Sequence, residues 1–245
     1  MIRKIVQPFF TAYVVITFSV SVAIVFPFIA LLSLLKTTPS QRAIFTIVRY
    51  WAKTWLRLIG MSVTASGNYD RAKTYVIIAN HISYLDTIVI FSAIPQYFRP
   101  LGKKEISGIP VIGMIYKQLV TMVDRDSAKS RARSLRLLWQ VLGNDSSILI
   151  FPEGTFNETG QPLKDFYDGA FRLAINTQTP LLPVLFPDTV SRWHYSAWWK
   201  LWPGRNRAVF LPPVEVAGLA TTDLTTLKSK VFTLMENGII GLQKK

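Results

Sequence analysis

Tyr75-Val76-Ile77-Ile78-Ala79-Asn80-His81-Ile82-Ser83-Tyr84-Leu85-Asp86 runs from a β-branched apolar segment through a polar turn into a helical pattern. Tyr75–Ala79 carries no charge and predicts a buried strand. A helix is expected over Tyr84–Ala93. In α/β folds a strand-to-helix turn is where reactive groups are displayed. His81 stands at such a turn, five residues before Asp86. A helix starting near Ser83 carries Asp86 back beneath the imidazole. A carboxylate on one ring nitrogen fixes the tautomer and leaves the other nitrogen as a base. This is a His–Asp general-base pair without a nucleophile of its own. The plainer reading is a helix-start histidine satisfied by backbone, and for an isolated His near an Asp it would prevail.

Outward from that stretch the same alternation continues. Further strands are expected at Ser62–Ala65, Leu119–Val123, Ile148–Phe151, Leu182–Phe186 and Ala208–Leu211. Helices are expected at Ile109–Lys117, Ala128–Leu142, Ala170–Thr177 and Asp223–Met235. The pattern predicts an α/β fold with a central mixed sheet flanked by helices. No internal repeat, low-complexity tract or interdomain linker is visible. A second strand end draws attention: Ile148-Leu149-Ile150-Phe151-Pro152-Glu153-Gly154-Thr155 closes an apolar run with a Pro-Glu-Gly turn. Glu153 brings a carboxyl group to a sheet edge, and Gly154 permits close backbone approach. Standing alone, this would be an ordinary acidic turn.

The N-terminal 58 residues read differently. Phe9 to Leu35 holds no charged residue. Such a run exceeds the roughly 20 residues that span a bilayer core and is too long for the apolar core of a signal peptide. It predicts one spanning helix, or a helical hairpin in one leaflet, kinked at Pro27 and turned at Thr37-Thr38-Pro39-Ser40; a buried core helix is the plainer alternative. With Ser40 as N-cap, Gln41–Leu58 predicts an amphipathic helix. Arg42, Arg49, Lys53 and Arg57 alternate there with Phe45, Trp51 and Trp55, which suits an anionic membrane surface or, more plainly, a helix packed on the domain with its charges solvated. The expected organisation is therefore residues 1–58 as a membrane-associated helical anchor and 59–245 as a catalytic domain.

Composition limits the chemistry. The 245 residues carry a net charge of +14 while half are hydrophobic. The charge calls for an anionic partner: nucleic acid, membrane surface or phosphate-bearing substrate. There is no Cys, so disulfides and thiolate nucleophiles are excluded. The two His, His81 and His194, share no metal-ligand spacing, and there is no Gly-x-Ser-x-Gly elbow.

Taken together, the blocks resemble the glycerolipid acyltransferase family, whose marks are an HxxxxD motif and an FPEGT block. Asn80-His81-Ile82-Ser83-Tyr84-Leu85-Asp86 matches the first and Phe151-Pro152-Glu153-Gly154-Thr155 the second. Val123-Asp124-Arg125 is similar to the family's strand block ending in Asp-Arg, and Leu182-Pro183-Val184 to its Val-Pro-Val block. The resemblance covers about Tyr75 to Pro187 by motif. Lys103-Lys104-Glu105 and the basic N-terminal helices are similar to the bacterial 1-acylglycerol-3-phosphate acyltransferase branch. One departure stands out. The family's FPEGT usually continues with Arg-Ser, that Arg being implicated in holding the acceptor phosphate; here Phe156-Asn157 follows.

The resemblance implies transfer of a fatty acyl group from acyl-CoA or acyl carrier protein to the hydroxyl of a lysophospholipid. Lysophosphatidic acid is the first expectation and another lysolipid headgroup the alternative. His81 would be the base and Asp86 its orienter, with no acyl-enzyme and no cofactor. Glu153, Gly154 and Thr155 would position the acceptor. Lys103, Lys104 and Arg125 are candidates for its phosphate, and Lys164 is another source of charge. The basic flanks place the catalytic domain on the cytoplasmic side of a membrane, a bacterial inner membrane by this resemblance. Arg192–Trp202, with four Trp and a Tyr, reads as a second membrane contact or the rim of the acyl entrance, or else as a loop covering the core. Rivals are a nucleic-acid binder, for which no motif is found, a thioester hydrolase, and a non-catalytic membrane scaffold, which leaves His81, Asp86 and Glu153 unexplained.

Overall fold

The computed structural model describes residues 2–123, 137–143 and 146–243. Its helices are α1 (Ile2–Ser33), α2 (Thr38–Leu58), α3 (Asp86–Ala93), α4 (Ile112–Leu119), α5 (Gly169–Thr177), α6 (Thr189–Arg192) and α7 (Leu224–Gln243). Its strands are β1 (Val63–Ser66), β2 (Val76–Ala79), β3 (Phe98–Lys103), β4 (Thr121–Val123), β5 (Ser147–Ile150), β6 (Leu181–Leu185) and β7 (Asn206–Phe210). The chain forms two units from interleaved segments. One comprises Met1–Ser66, His81–Pro95 and Phe186–Ala208; the other comprises Gly67–Asn80, Gln96–Leu185 and Val209–Lys245. Of the expected helix Ala128–Leu142, only a helical stretch at 137–143 falls within the described residues.

The second unit holds the parallel strands. β2 is flanked by β6 and β5, then β3 and β4 follow outward, all parallel. Val209 and Phe210 of β7 add an antiparallel edge against β6, so the sheet is mixed, as expected. β2, β5 and β6 are buried at every residue. That explains why their sequences are unbroken apolar runs with little alternation. Side chains of Val76, Ile78, Ile148 and Ile150 share one core with Phe171 and Leu173 of α5 and Val231, Met235 and Ile239 of α7. Ile78 pairs with Ile150, so β2 and β5 end side by side.

Several elements depart from the sequence reading. β3 was not expected, because Arg99, Pro100 and Gly102 disrupt any strand pattern. Pairing of Phe98–Pro100 with β5 and of Leu101–Lys103 with β4 nonetheless makes it continuous. Gly102 leaves room for Tyr116: a Cβ there would lie 1.9 Å from the Tyr116 hydroxyl. α4 runs on to Leu119, so β4 begins only at Thr121. α7 continues to Gln243, eight residues past the expected Met235. Gly238 lies within the helix; a Cβ there would lie 2.7 Å from Leu185 Cδ1, so glycine lets the helix approach β6.

In the first unit α1 and α2 form an antiparallel hairpin. Trp51 Nε1 donates to Ser21 Oγ at 3.0 Å, Trp55 Nε1 to Thr17 Oγ1 at 3.3 Å and the Tyr13 hydroxyl to the Leu58 carbonyl at 3.0 Å. α1 is one continuous helix through both Pro8 and Pro27. The turn is set by Thr37, not Ser40, as N-cap. Ser40 occupies N3 of a capping box: its N–H donates to Thr37 Oγ1 at 3.3 Å, and its Oγ accepts the Thr37 N–H at 3.2 Å. α2 faces α3, with Phe45 and Phe91 rings 5.8 Å apart and Arg49 Nε donating to the Ile94 carbonyl at 3.2 Å. Thr11, Val14, Val22 and Ile29 form a buried stripe on α1, at close to heptad spacing. Its other faces stay apolar and exposed, including Phe9, Ile16, Ile24, Phe28 and Leu31. Among the described residues α1 is the one helix long and apolar enough to cross a membrane.

Candidate active site

The polar turn after β2 is built around one carboxylate. Asp86 opens α3 and is fully buried. Its Oδ2 accepts the backbone N–H groups of Ile82 and Ser83, each at 2.8 Å, and lies 2.9 Å from His81 Nδ1. Its Oδ1 accepts the Thr189 hydroxyl at 2.5 Å. Four donors on two oxygens satisfy a carboxylate that burial would otherwise make costly. A carboxylate accepts only, so Nδ1 of His81 carries the proton and the lone pair lies on Nε2. The His81 ring is 15% exposed: held from behind, yet reachable. This is the arrangement of a general base whose tautomer is fixed.

Ser83 closes the turn. Its hydroxyl donates to the Trp193 carbonyl at 2.5 Å and accepts the Leu85 N–H at 3.0 Å, while the Tyr84 and Trp193 rings sit 5.4 Å apart. Thr189 is presented by the single turn α6, which Asp188 anchors. The Asp188 carboxylate takes three hydrogen bonds from Arg207, from its backbone N–H and guanidinium, at 2.8–2.9 Å. Burial pushes the Asp188 carboxyl up, but these bonds outweigh it and hold it below the usual carboxylate range.

Sequence reasoning missed Thr189, and it missed the part that Ser83 and Trp193 play in holding the turn. Thr189 is 103 residues from Asp86 and no local pattern announces it. Thr189→Val keeps the shape but removes the O–H donor to Oδ1. It is expected to lower stability by about 1–2 kcal/mol and to weaken catalysis through looser positioning of Asp86. Denaturant unfolding and kcat measured side by side check both.

The second motif lies in the other unit. Glu153 is fully buried, and its Oε2 accepts the Lys164 N–H at 2.9 Å. Gly154 has φ +73°, a region that glycine enters without strain, and its N–H donates to the Phe151 carbonyl at 3.0 Å. The Lys164 ammonium reaches round to Thr155 Oγ1 at 2.7 Å. Glu153, Gly154, Thr155 and Lys164 are thus brought together, with a cation at the rim of the turn. Asn157, buried where the resemblance led one to expect Ser, holds the following loop by donating to the Gln161 carbonyl at 2.9 Å and accepting the Thr159 N–H at 3.0 Å. Lys103 and Lys104 are exposed where β3 passes into a single 3-10 turn. Arg125 lies outside the described residues. His194 Nδ1 contacts the Ser196 hydroxyl at 2.8 Å, a pairing that gives it no carboxylate orienter.

A family model described as Acyltransferase matches residues 61–186, just over half of the chain. The chain belongs to the acyltransferase family. Curated relatives agree. The 1-acyl-sn-glycerol-3-phosphate acyltransferase of Haemophilus influenzae is 27% identical over 203 residues, covering 81% of this chain and 83% of the relative. The mouse 1-acyl-sn-glycerol-3-phosphate acyltransferase alpha is 27% identical over 175 residues, 71% of this acyltransferase and 61% of the relative. The chain thus spans about three fifths of the mammalian relatives it matches. The crystal structure of the 1-acyl-sn-glycerophosphate acyltransferase PlsC from Thermotoga maritima has the same fold. Its TM-score is 0.83 at 21% identity, with 99% of this chain and 98% of that one covered. The family read from the four sequence blocks is the family found, and so is the α/β class of this acyltransferase.

Proposed function

We propose that this acyltransferase moves a fatty acyl group from an acyl thioester to the free hydroxyl of lysophosphatidic acid, giving phosphatidic acid. The observation that carries the reading is His81 fixed by a fully buried, four-donor Asp86. Nε2 takes the hydroxyl proton as that oxygen attacks the thioester carbonyl. The C–S bond breaks, the thiolate leaves with the bonding pair, and the imidazolium returns the proton to it. Asp86 stabilises the imidazolium meanwhile. A thiolate needs little acid assistance, which fits a site with one histidine and requires no resident cofactor.

Relatives named for 1-acyl-sn-glycerol-3-phosphate support the choice of acceptor. Glu153, Gly154 and Thr155 position it in this reading. Lys164, with its ammonium on Thr155, stands in for the arginine replaced by Phe156, and Lys103, Lys104 and Arg125 are further phosphate contacts. The donor is acyl-CoA or acyl carrier protein; both are acidic and suit the net charge of +14. α1 associates with a membrane. The basic flanks favour its cytoplasmic face, and an anionic lipid surface rather than nucleic acid is the macroscopic partner.

The test is thiol release from each donor with lysophosphatidic acid, with other lysophospholipids and with no acceptor. Release dependent on lysophosphatidic acid is expected. Release that is independent of acceptor means a hydrolase, and none with either donor removes the enzymatic reading. In the same assay Lys164→Met is expected to raise KM for lysophosphatidic acid about tenfold, as loss of one charged contact does, with kcat little changed. An unaltered KM shows that the phosphate is held elsewhere.

A further inference from the structure

The segment Trp193–Trp202 touches the His81 turn through Trp193, which contacts Ser83 and Tyr84; the proposed transfer gives its other residues no role. Its sequence, Trp-His-Tyr-Ser-Ala-Trp-Trp-Lys-Leu-Trp, is tied into a definite shape. The His194 N–H donates to the Lys200 carbonyl at 3.3 Å, the Lys200 N–H to the Ala197 carbonyl at 3.1 Å and Lys200 Nζ to Ser196 Oγ at 3.0 Å. Trp193 bridges to Leu201. Ala197 and Leu201 are buried, so the loop has an interior. Trp198 and Trp199 are nevertheless turned outward, 59% and 54% exposed, with their rings edge to face at 5.7 Å. Nothing in the loop's packing forces two indoles into water.

The loop's position suggests what they meet. Thr11 Oγ1 donates to the Trp199 carbonyl at 2.8 Å and Gln7 Nε2 to the Leu201 carbonyl at 3.3 Å. The Arg3 guanidinium lies 5.0 Å over the Trp202 ring. Arg3, Gln7 and Thr11 succeed one another at four-residue spacing, so the loop is strapped along the first turns of α1. From Thr11 the helix runs on about 33 Å to Ser33, at 1.5 Å per residue, exposing Ile16, Val20, Ile24, Phe28 and Leu31. An aromatic, cationic collar thus abuts one end of an exposed apolar rod. Trp and Tyr at headgroup level beside a hydrocarbon-facing helix have this arrangement.

We infer that Trp193–Trp202 seats in the headgroup layer of an anionic bilayer and fixes the depth at which α1 enters lipid. Trp198 and Trp199 lie at the boundary between headgroups and acyl chains, with Arg3 and Lys200 among the phosphates. Continuity with the apolar face of α1 and the basic charge favour lipid over a protein partner. The other end of the loop is Trp193, whose carbonyl holds Ser83 in the turn that carries His81. The membrane seat and the base are therefore joined through one residue. None of this depends on the transfer reaction, so the test uses no turnover.

Because the chain has no Cys, Trp198→Cys and Trp199→Cys each supply a single thiol for a nitrobenzoxadiazole label. The full chain is reconstituted in vesicles of phosphatidylglycerol and phosphatidylcholine. Both labels are expected to be quenched by lipids spin-labelled near the headgroup. Both should also be about fivefold less accessible to aqueous iodide than the same label at Thr222→Cys, as burial at the interface requires. Labels open to iodide, or shielded from iodide yet untouched by the spin-labelled lipid, overturn the inference; the second result means a protein covers the loop. A gentler variant guards against misfolding. Bromine-bearing lipids are expected to quench indole emission of the wild type more than that of Trp198→Phe/Trp199→Phe, and equal quenching overturns the inference as well.

Discussion

His81→Ala is expected to lower kcat/KM for acyl transfer about a thousandfold, within the range that a positioned general base supplies, while the chain stays folded. The ring is partly exposed and contributes one of four hydrogen bonds to Asp86. Its removal lets water reach Oδ2, and the stability cost is about 1 kcal/mol. The relevant measurement is thiol release with lysophosphatidic acid, read beside a thermal melt. Full activity in His81→Ala would end the base assignment. Loss of activity together with collapse of the melt would show His81 to be structural.

Asp86→Ala is expected to be the most damaging single change. It strands the N–H groups of Ile82 and Ser83 and the hydroxyl of Thr189 in a buried setting. At about 1–3 kcal/mol for each unsatisfied donor, the sum is a large part of the roughly 5–15 kcal/mol that holds a domain folded. Asp86→Asn separates structure from chemistry. Its Oδ1 can face His81, Ile82 and Ser83 while its Nδ2 donates to the Thr189 hydroxyl, which can also accept. The amide therefore keeps most of the stability but no longer supplies the charge that stabilises the imidazolium. Chemical unfolding should place Asn between wild type and Ala, and activity of the folded Asn variant should fall about a hundredfold or more. An Ala variant as stable as wild type would show that the turn is held by something other than this carboxylate.

These two residues were legible in the sequence because the contact between them is local. Five residues of spacing and a strand-to-helix turn suffice to place a carboxylate under a ring. Glu153 and Gly154 were found for the same reason, as a turn closing an apolar run. Thr189 was not, since its role exists only after Asp86 has been buried beside it, and a threonine after an aspartate carries no signal. The sheet shows the same division. β2, β5 and β6 are buried on both faces and announce themselves as apolar runs. β3 is defined by its neighbours: Pro100 and Gly102 speak against a strand locally, and pairing on both sides overrides them. The extent of α7 shows the division too: Gly238 lies inside the helix and leaves room for Leu185 Cδ1, a contact no local pattern announces. Ser40 was a sound cap on local grounds, but Thr37 three residues earlier completed a reciprocal pair of bonds that no single-residue preference reveals.

The interleaving of segments also sets a clock. A ribosome adds about 5–20 residues per second, so the 103 positions between Asp86 and Thr189 take roughly 5–20 s to emerge. Throughout that interval the nascent turn bearing His81 lacks the hydroxyl that completes its carboxylate's shell, and α1 lacks the Trp-rich loop that straps its first turns. The hydrogen bonds between α1 and α2, by contrast, can all form once Leu58 has emerged. Birth order therefore gives this chain its long apolar helix well before the completed hydrogen-bond shell of Asp86.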